Sequence, residues 1–239
     1  MKWEKVKLVQ GPWIPKQNYL YGVEEVLVND DNEFYTWCNT GPPSYNTEIY
    51  VDKGKDKLVI TVGCSWTHGD GGCEELNHNH GKWRVEDRVE IPFGSKIARV
   101  LDADYYTFTK PGQSNSGMFA GLFRILNNIP VGRYKDIKVI VVMTDLARDN
   151  ITMLPPDHFL NTKLAPQKLL DIHISEWIRL YDEYFLDMLQ DEINKHSLLP
   201  LDVVVAKVFT PVQTPKRDYT FRIISDPWLK FHSWYFGLD

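Results

Sequence analysis

The sequence predicts an α/β protein: a three-layer, mostly parallel sheet with helices on both faces, preceded by an irregular N-terminal arm. Three observations carry this expectation. Short apolar runs dense in β-branched residues, at 58–64 and 137–143, have the composition of strands buried on both faces. Segments between and after them repeat apolar residues at helical spacing, and strands alternating with helices imply parallel pairing with right-handed crossovers. Three of the strands end in polar, turn-forming clusters, and the carboxyl edge is where open α/β sheets place their ligands.

Taken in order, residues 1–56 are rich in aromatics, Pro, Gly and Asn without a sustained period of 3.6 or 2, and read as a packed arm with one short strand at 24–28. The strand at 58–64 leads into a Gly-, His- and charge-rich loop at 66–90, and a short helix is expected at 93–101. A strand at 105–109 runs into Lys110-Pro111-Gly112-Gln113-Ser114-Asn115, where Pro-Gly turns the chain and Ser114 or Asn115 caps a helix. That helix carries Met118, Phe119, Leu122, Phe123, Ile125 and Leu126. After the strand at 137–143 a long helix is predicted over 167–195. Its apolar stripe is Leu170, Ile174, Trp177, Tyr181, Tyr184 and Met188, with Asp182, Glu183, Asp187 and Glu192 on the outer face. Strands at 202–209 and, weakly, 221–224 complete the pattern. The division expected is an aromatic-rich arm, 1–56, packed on an α/β domain, 57–239.

Composition narrows the partners. With 239 residues, 43% hydrophobic and 25% charged, the chain has the balance of a globular protein, and its formal net charge of −5 with dispersed Lys and Arg argues against nucleic acid. No apolar run approaches the roughly 20 residues that cross a bilayer, so no membrane partner is expected. The start, Met-Lys-Trp-Glu-Lys-Val-Lys, lacks a signal-peptide core, and Cys38, Cys64 and Cys73 have no disulfide-scaffold spacing. A cytoplasmic location is expected.

The densest chemical signal is Gly63-Cys64-Ser65-Trp66-Thr67-His68-Gly69, which projects a serine from the end of a buried strand. With Gly112 in Pro-Gly-Gln-Ser-Asn after the next strand, it resembles the SGNH hydrolase superfamily, the GDSL-like esterases, whose sheet is flavodoxin-like. The variant is similar to SGNH-like proteins encoded by tailed phages and some marine bacteria, which would place the chain in host cytoplasm or a virion. The resemblance covers roughly 57–150 and implies that Ser65 is the nucleophile and that the Gly112 N–H helps form an oxyanion hole.

Two blocks depart from the family. Met143-Thr144-Asp145-Leu146 stands where the family reads Gly-x-Asn-Asp, and an ionised Asp145 repels a developing oxyanion. Asn115 is the substitute donor. The family's Asp-x-x-His is missing, the nearest late pair being Asp226 and His232, six apart. His232 is then the base and Asp226 its orienting carboxylate, with His158 beside Asp157 as the rival. Trp66, Thr67, Asp145 and Arg148 are the expected substrate contacts, Arg148 either gripping an anionic group or pairing with Asp145 or Asp149.

Each residue also has a plainer reading. Ser65 or Asn115 can be a helix cap, Gly112 a turn glycine, His232 a packing histidine among Trp228, Phe231, Trp234, Tyr235 and Phe236, and His173 a solvated or packed helix residue. Cys64, His68, Cys73, His78 and His80 offer zinc-type ligands at spacings of four, five, five and two, which match no standard finger. The sequence therefore predicts a cofactor-free, metal-free serine esterase acting on a small acyl ester or an O-acylated glycan. The alternative is an inactive SGNH-like module that binds a glycan or, through its aromatic-rich termini, a protein partner.

Overall fold

The computed structural model describes residues 3–7, 25–29, 34–37, 48–69, 90–109, 113–144, 167–208, 212 and 217–224, with side chains described outside 3–48 and 167–177. Nine strands form one sheet in the order β1-β2-β3-β4-β6-β5-β7-β8-β9. Its centre is β5 (Lys57–Gly63), flanked by β6 (Asp104–Thr109) and β7 (Asp136–Met143), then β8 (Leu201–Lys207) and β9 (Arg222–Ile223). All pairings within this group are parallel. Numbered from β5, the parallel strands run 2-1-3-4-5, the order of flavodoxin-like doubly wound sheets, whose switch point lies between the first and third strands. Here that point is the crevice between β5 and β7.

The expected irregular arm is corrected. β1 (Trp3–Lys7), β2 (Glu25–Asn29), β3 (Phe34–Trp37) and β4 (Glu48–Asp52) form an antiparallel meander that joins the same sheet through β4 and β6. The whole sheet is therefore mixed, with a parallel half and an antiparallel half.

Helices cover both faces of the parallel half. α1 (Ser65–His68) is a single turn; α2 (Phe93–Val100), α3 (Asn115–Leu126) and α4 (Gln167–Lys195) follow. Alternation along β5 divides its side chains between the faces. Leu58, Ile60 and Val62 share one cluster with Phe119, Leu122 and Ile125 of α3 and with Phe185, Leu186 and Leu189 of α4. Val59 and Tyr105 pack with Ala98 of α2 on the opposite face. Full burial of each such large apolar side chain contributes about 1.5–3 kcal/mol, which makes the α3–α4 face the main hydrophobic core.

The α2 face is polar at its centre. Thr61 Oγ1 meets Tyr105 Oη at 2.9 Å and donates to Thr107 Oγ1 at 3.1 Å, and Thr107 continues to Thr109 at 3.3 Å. α2 lies directly on these hydroxyls: a Cβ on Gly94 would stand 2.5 Å from Thr61 Cγ2 and 2.8 Å from Tyr105 Oη. Only glycine lets the helix approach so closely.

Of the two cap candidates for α3 one is selected, and one helix assignment needs correction. Ser114, not Asn115, is the N-cap of α3, its hydroxyl accepting from Gly117 N–H at 3.2 Å. In α4, Asp182 and Glu192 are buried rather than on the outer face, while Tyr184 of the supposed apolar stripe is 59% exposed. Both acids have inward partners. Asp182 takes the Lys207 ammonium on its two oxygens at 2.9 and 3.1 Å, and Glu192 accepts from Asn127 and sits 3.1 Å from His196 Nε2.

Candidate active site at the carboxyl edge

The carboxyl ends of β6, β5, β7 and β8 are level, because Thr109 and Val142 both register with Gly63, and Met143 registers with Lys207. Directly beyond β5 the chain enters α1. Cys64 is the N-cap residue and offers no side-chain capping bond. Ser65 is the first residue inside the turn, so the cap reading of Ser65 is overturned. Among the described residues no side-chain hydrogen bond engages its Oγ, and it is half-buried at the edge. Its N–H is one of the amides a helix start leaves without an intrahelical acceptor.

The Gly-x-Ser-x-Thr spacing has a steric cause. A Cβ on Gly63 would collide with the Thr67 side chain, so Thr67 occupies the space a larger residue at 63 would need. Thr67 is 1% exposed, and its Oγ1 is buried without a hydrogen-bond partner. Gly69 ends the turn in the left-handed conformation at φ 101°, which favours glycine. The motif thus folds as a self-contained hook that presents position 65.

Asn115 is close to this edge but is not available to an oxyanion. Its Nδ2 donates to Thr144 O and to Tyr181 Oη, both at 2.9 Å, and its Oδ1 accepts from Thr144 N–H at 2.7 Å. Both amide hydrogens are used, so the expectation that Asn115 stabilises an oxyanion is corrected. The side-chain amide instead pairs with Thr144 as another strand's peptide group would, tying the start of α3 to the end of β7 across the switch point.

His68 is the residue that sequence reasoning underused. It is 1% exposed, and its Nδ1 lies 3.1 Å from Thr109 O and 3.4 Å from Thr109 Oγ1. It therefore joins the hydroxyl row of Tyr105, Thr61, Thr107 and Thr109. Its spacing three residues after Ser65 was the available signal, since residues three apart are neighbours on a helical turn. Trp66 is half-buried against the cluster of Cys64, Val142, Ala206 and Val208. Cys64 thus packs among apolar side chains, whereas His68 turns toward β6.

The buried pair Lys207–Asp182 closes the far side of the edge, on the α4 face, with both side chains at most 1% exposed. It was also missed, because a strand lysine and a helix acid 25 residues apart carry no local pattern. Gly112, Asp145, Arg148, Asp226 and His232 lie outside the described residues, as do Cys38, Cys73, His78, His80, Asp157, His158 and the His173 side chain. No family model, curated protein or solved structure matches this chain. Among the described residues no helix is long and apolar enough to cross a membrane.

Proposed function

We propose that this protein is a serine-dependent ester hydrolase acting on a small acyl ester, with an O-acetylated carbohydrate as the favoured class. One observation carries the reading: Ser65 stands beyond the central strand at the switch point, inside α1 rather than capping it, with its hydroxyl outside the buried polar network. A serine used only for local structure would make the capping bond. The resemblance of the hook to the SGNH nucleophile turn adds the reaction type, and the carbohydrate rests on that analogy alone.

In this reading Ser65 Oγ attacks the acyl carbonyl carbon as a histidine takes the hydroxyl proton, His232 aimed by Asp226 in the arrangement the sequence suggests. The Ser65 N–H and the Gly112 N–H hold the resulting oxyanion. Collapse breaks the bond to the leaving alkoxide, which leaves with the histidine's proton. Water then gives a proton to the same histidine as its oxygen bonds to the acyl carbon, the acyl–Oγ bond breaks to release the acid, and the histidine returns its proton to Ser65 Oγ. Trp66, Thr67, Asp145 and Arg148 remain the proposed substrate contacts, with the Thr67 hydroxyl acting only if the hook opens.

The second reading, an inactive module that binds a glycan or a protein, is favoured by the full commitment of Asn115 to Thr144 and Tyr181. Acetate release from p-nitrophenyl acetate and from an O-acetylated oligosaccharide separates the two. An esterase loses at least about 100-fold in rate in Ser65→Ala. Equal background release by the native protein and Ser65→Ala supports the binding module.

A further inference from the structure

We infer that the hydroxyl of Tyr181, on α4, donates a hydrogen bond to the acyl oxygen of the substrate, the role first expected of Asn115, and that Asn115 is the positioning residue that sets it. This rests on the esterase reading of Ser65. The deciding geometry is at Asn115. Thr144 N–H only donates and Thr144 O only accepts, so their contacts at 2.7 and 2.9 Å fix which end of the Asn115 amide is oxygen and which is nitrogen. The amide nitrogen cannot accept, so in its 2.9 Å contact with Tyr181 Oη the phenol oxygen is the acceptor. Tyr181 makes no other hydrogen bond among the described residues. The phenol's own hydrogen is therefore uncommitted, although Tyr181 is only 9% exposed and buried tyrosines usually spend that hydrogen on a partner.

Three further features fit a donor at the site. Gly63 registers with Val142, so Ser65 and Thr144, each two residues further on, leave neighbouring strands at the same height. Through Asn115, Tyr181 Oη is two hydrogen bonds from Thr144, which brings it to the crevice between β5 and β7 that Ser65 borders. The ring is also held in place before substrate arrives. It packs edge-on against Phe185 at 4.9 Å, Phe185 packs against Phe119 of α3 at 5.0 Å, and the adjacent Asp182 grips Lys207 of β8. Finally, the bond received from Asn115 polarises the phenol, and linked hydrogen bonds strengthen one another, so its O–H is a better donor than that of an isolated tyrosine. A fixed donor facing the oxygen where charge develops costs no reorganisation during the reaction. Tyr181 keeps its proton throughout, and the covalent steps remain those of Ser65.

The test has two kinetic arms, both on the full chain with p-nitrophenyl acetate. Tyr181→Phe keeps the ring contact with Phe185 and removes only the hydroxyl. It is expected to melt near the native temperature and to lose about 100-fold in kcat with KM within about twofold of native, the pattern of a bond made only in the transition state. A kcat within about threefold of native overturns the inference. So does a loss confined to KM, which would make Tyr181 a ground-state contact. The second arm keeps the hydroxyl: difluorotyrosine placed at position 181 has a phenol that ionises at lower pH, and an ionised phenol cannot donate. Its kcat is expected to fall with rising pH about one unit or more before that of the native protein. An unshifted profile overturns the inference even if Tyr181→Phe does not fold. Failure of native Ser65 to label with a fluorophosphonate beside a reactive control esterase is the separate signature that the esterase reading, and the inference with it, has failed.

Discussion

The two ends of the parallel sheet both bury polar groups, but they use them differently. At the amino end Asp104 is fully buried and accepts from Lys53 N–H, Lys55 N–H, Tyr134 Oη and Arg133 at 2.8, 3.1, 3.0 and 3.0 Å, with Tyr50 Oη at 3.4 Å. Arg133 also donates to Lys55 O and lies over the Tyr134 ring. Burial pushes the Asp104 carboxyl above its ordinary range against the pull of these donors, and pushes the Tyr50 phenol up as well. The cluster fastens the turn after β4 to β6 and to the approach to β7. At the carboxyl end Asn115 and Lys207–Asp182 are equally saturated, yet Ser65 Oγ stands outside the network and Thr67 Oγ1 is buried unpaired. Saturated networks hold a fold together, whereas buried polar groups left unmatched near an uncommitted hydroxyl are what a site for chemistry retains.

The largest effect is expected at the amino end. Arg133→Ala leaves the Asp104 carboxylate buried with one strong donor fewer and should cost about 3–5 kcal/mol in denaturant unfolding. Asp104→Asn, which keeps an acceptor, should cost less. A loss under 1 kcal/mol for Arg133→Ala would mean that the amino end is not the fastening point. Lys207→Ala should cost a similar amount by removing the ammonium that faces both Asp182 oxygens, and here a double change sharpens the comparison. Lys207→Met with Asp182→Leu should return close to native stability, since replacing both members of a buried pair is often neutral.

Smaller effects separate the hook from its surroundings. Gly63→Ala forces Thr67 aside and should cost about 1–3 kcal/mol by overpacking. Thr67→Val removes the unpaired hydroxyl at nearly constant shape and should be neutral or stabilising by up to about 1 kcal/mol. A clear destabilisation by Thr67→Val would show that its hydroxyl is satisfied in solution and would weaken the contrast between the two ends.

How far these regions were legible follows from the range of their interactions. The buried strands β5 and β7, the apolar face of α3 and the bounds of α4 are written in local periodicity, and the sequence reading placed them within a residue or two. The meander strands are only four or five residues long and gain their stability from distant partners, β4 pairing with β6 across more than 50 residues. β2 (Glu25–Asn29) was nevertheless expected, as a strand at 24–28; for the other three, period counting over so short a window has nothing to detect. Asp182 and Glu192 were assigned to solvent because a helical wheel ranks charge as outward, and their partners Lys207 and Asn127 are remote in sequence. At the site, the Gly63–Thr67 hook was readable as spacing. The commitment of Asn115 and the Thr109 contact of His68 depend on which strand ends are level, which only topology supplies.

The smallest expected effect lies at the sheet's other flank. Lys138 and Arg222 hold the Asp202 carboxyl below its ordinary range. A depressed carboxyl contributes stability above the unfolded-state value near pH 4 and loses it as pH falls through the lower folded value. The partners are partly exposed, so the native protein should exceed Asp202→Asn by no more than about 1 kcal/mol at pH 7, with the gap closing in acid. Melting temperatures at the two pH values check it.

Intact-mass labelling with a fluorophosphonate tests for an activated serine at the carboxyl end without knowledge of the substrate. A single adduct, mapped to Ser65, is expected on the native protein and none on heat-denatured protein or Ser65→Ala. No adduct under conditions that label a control serine esterase, or an adduct that persists in Ser65→Ala, would contradict it.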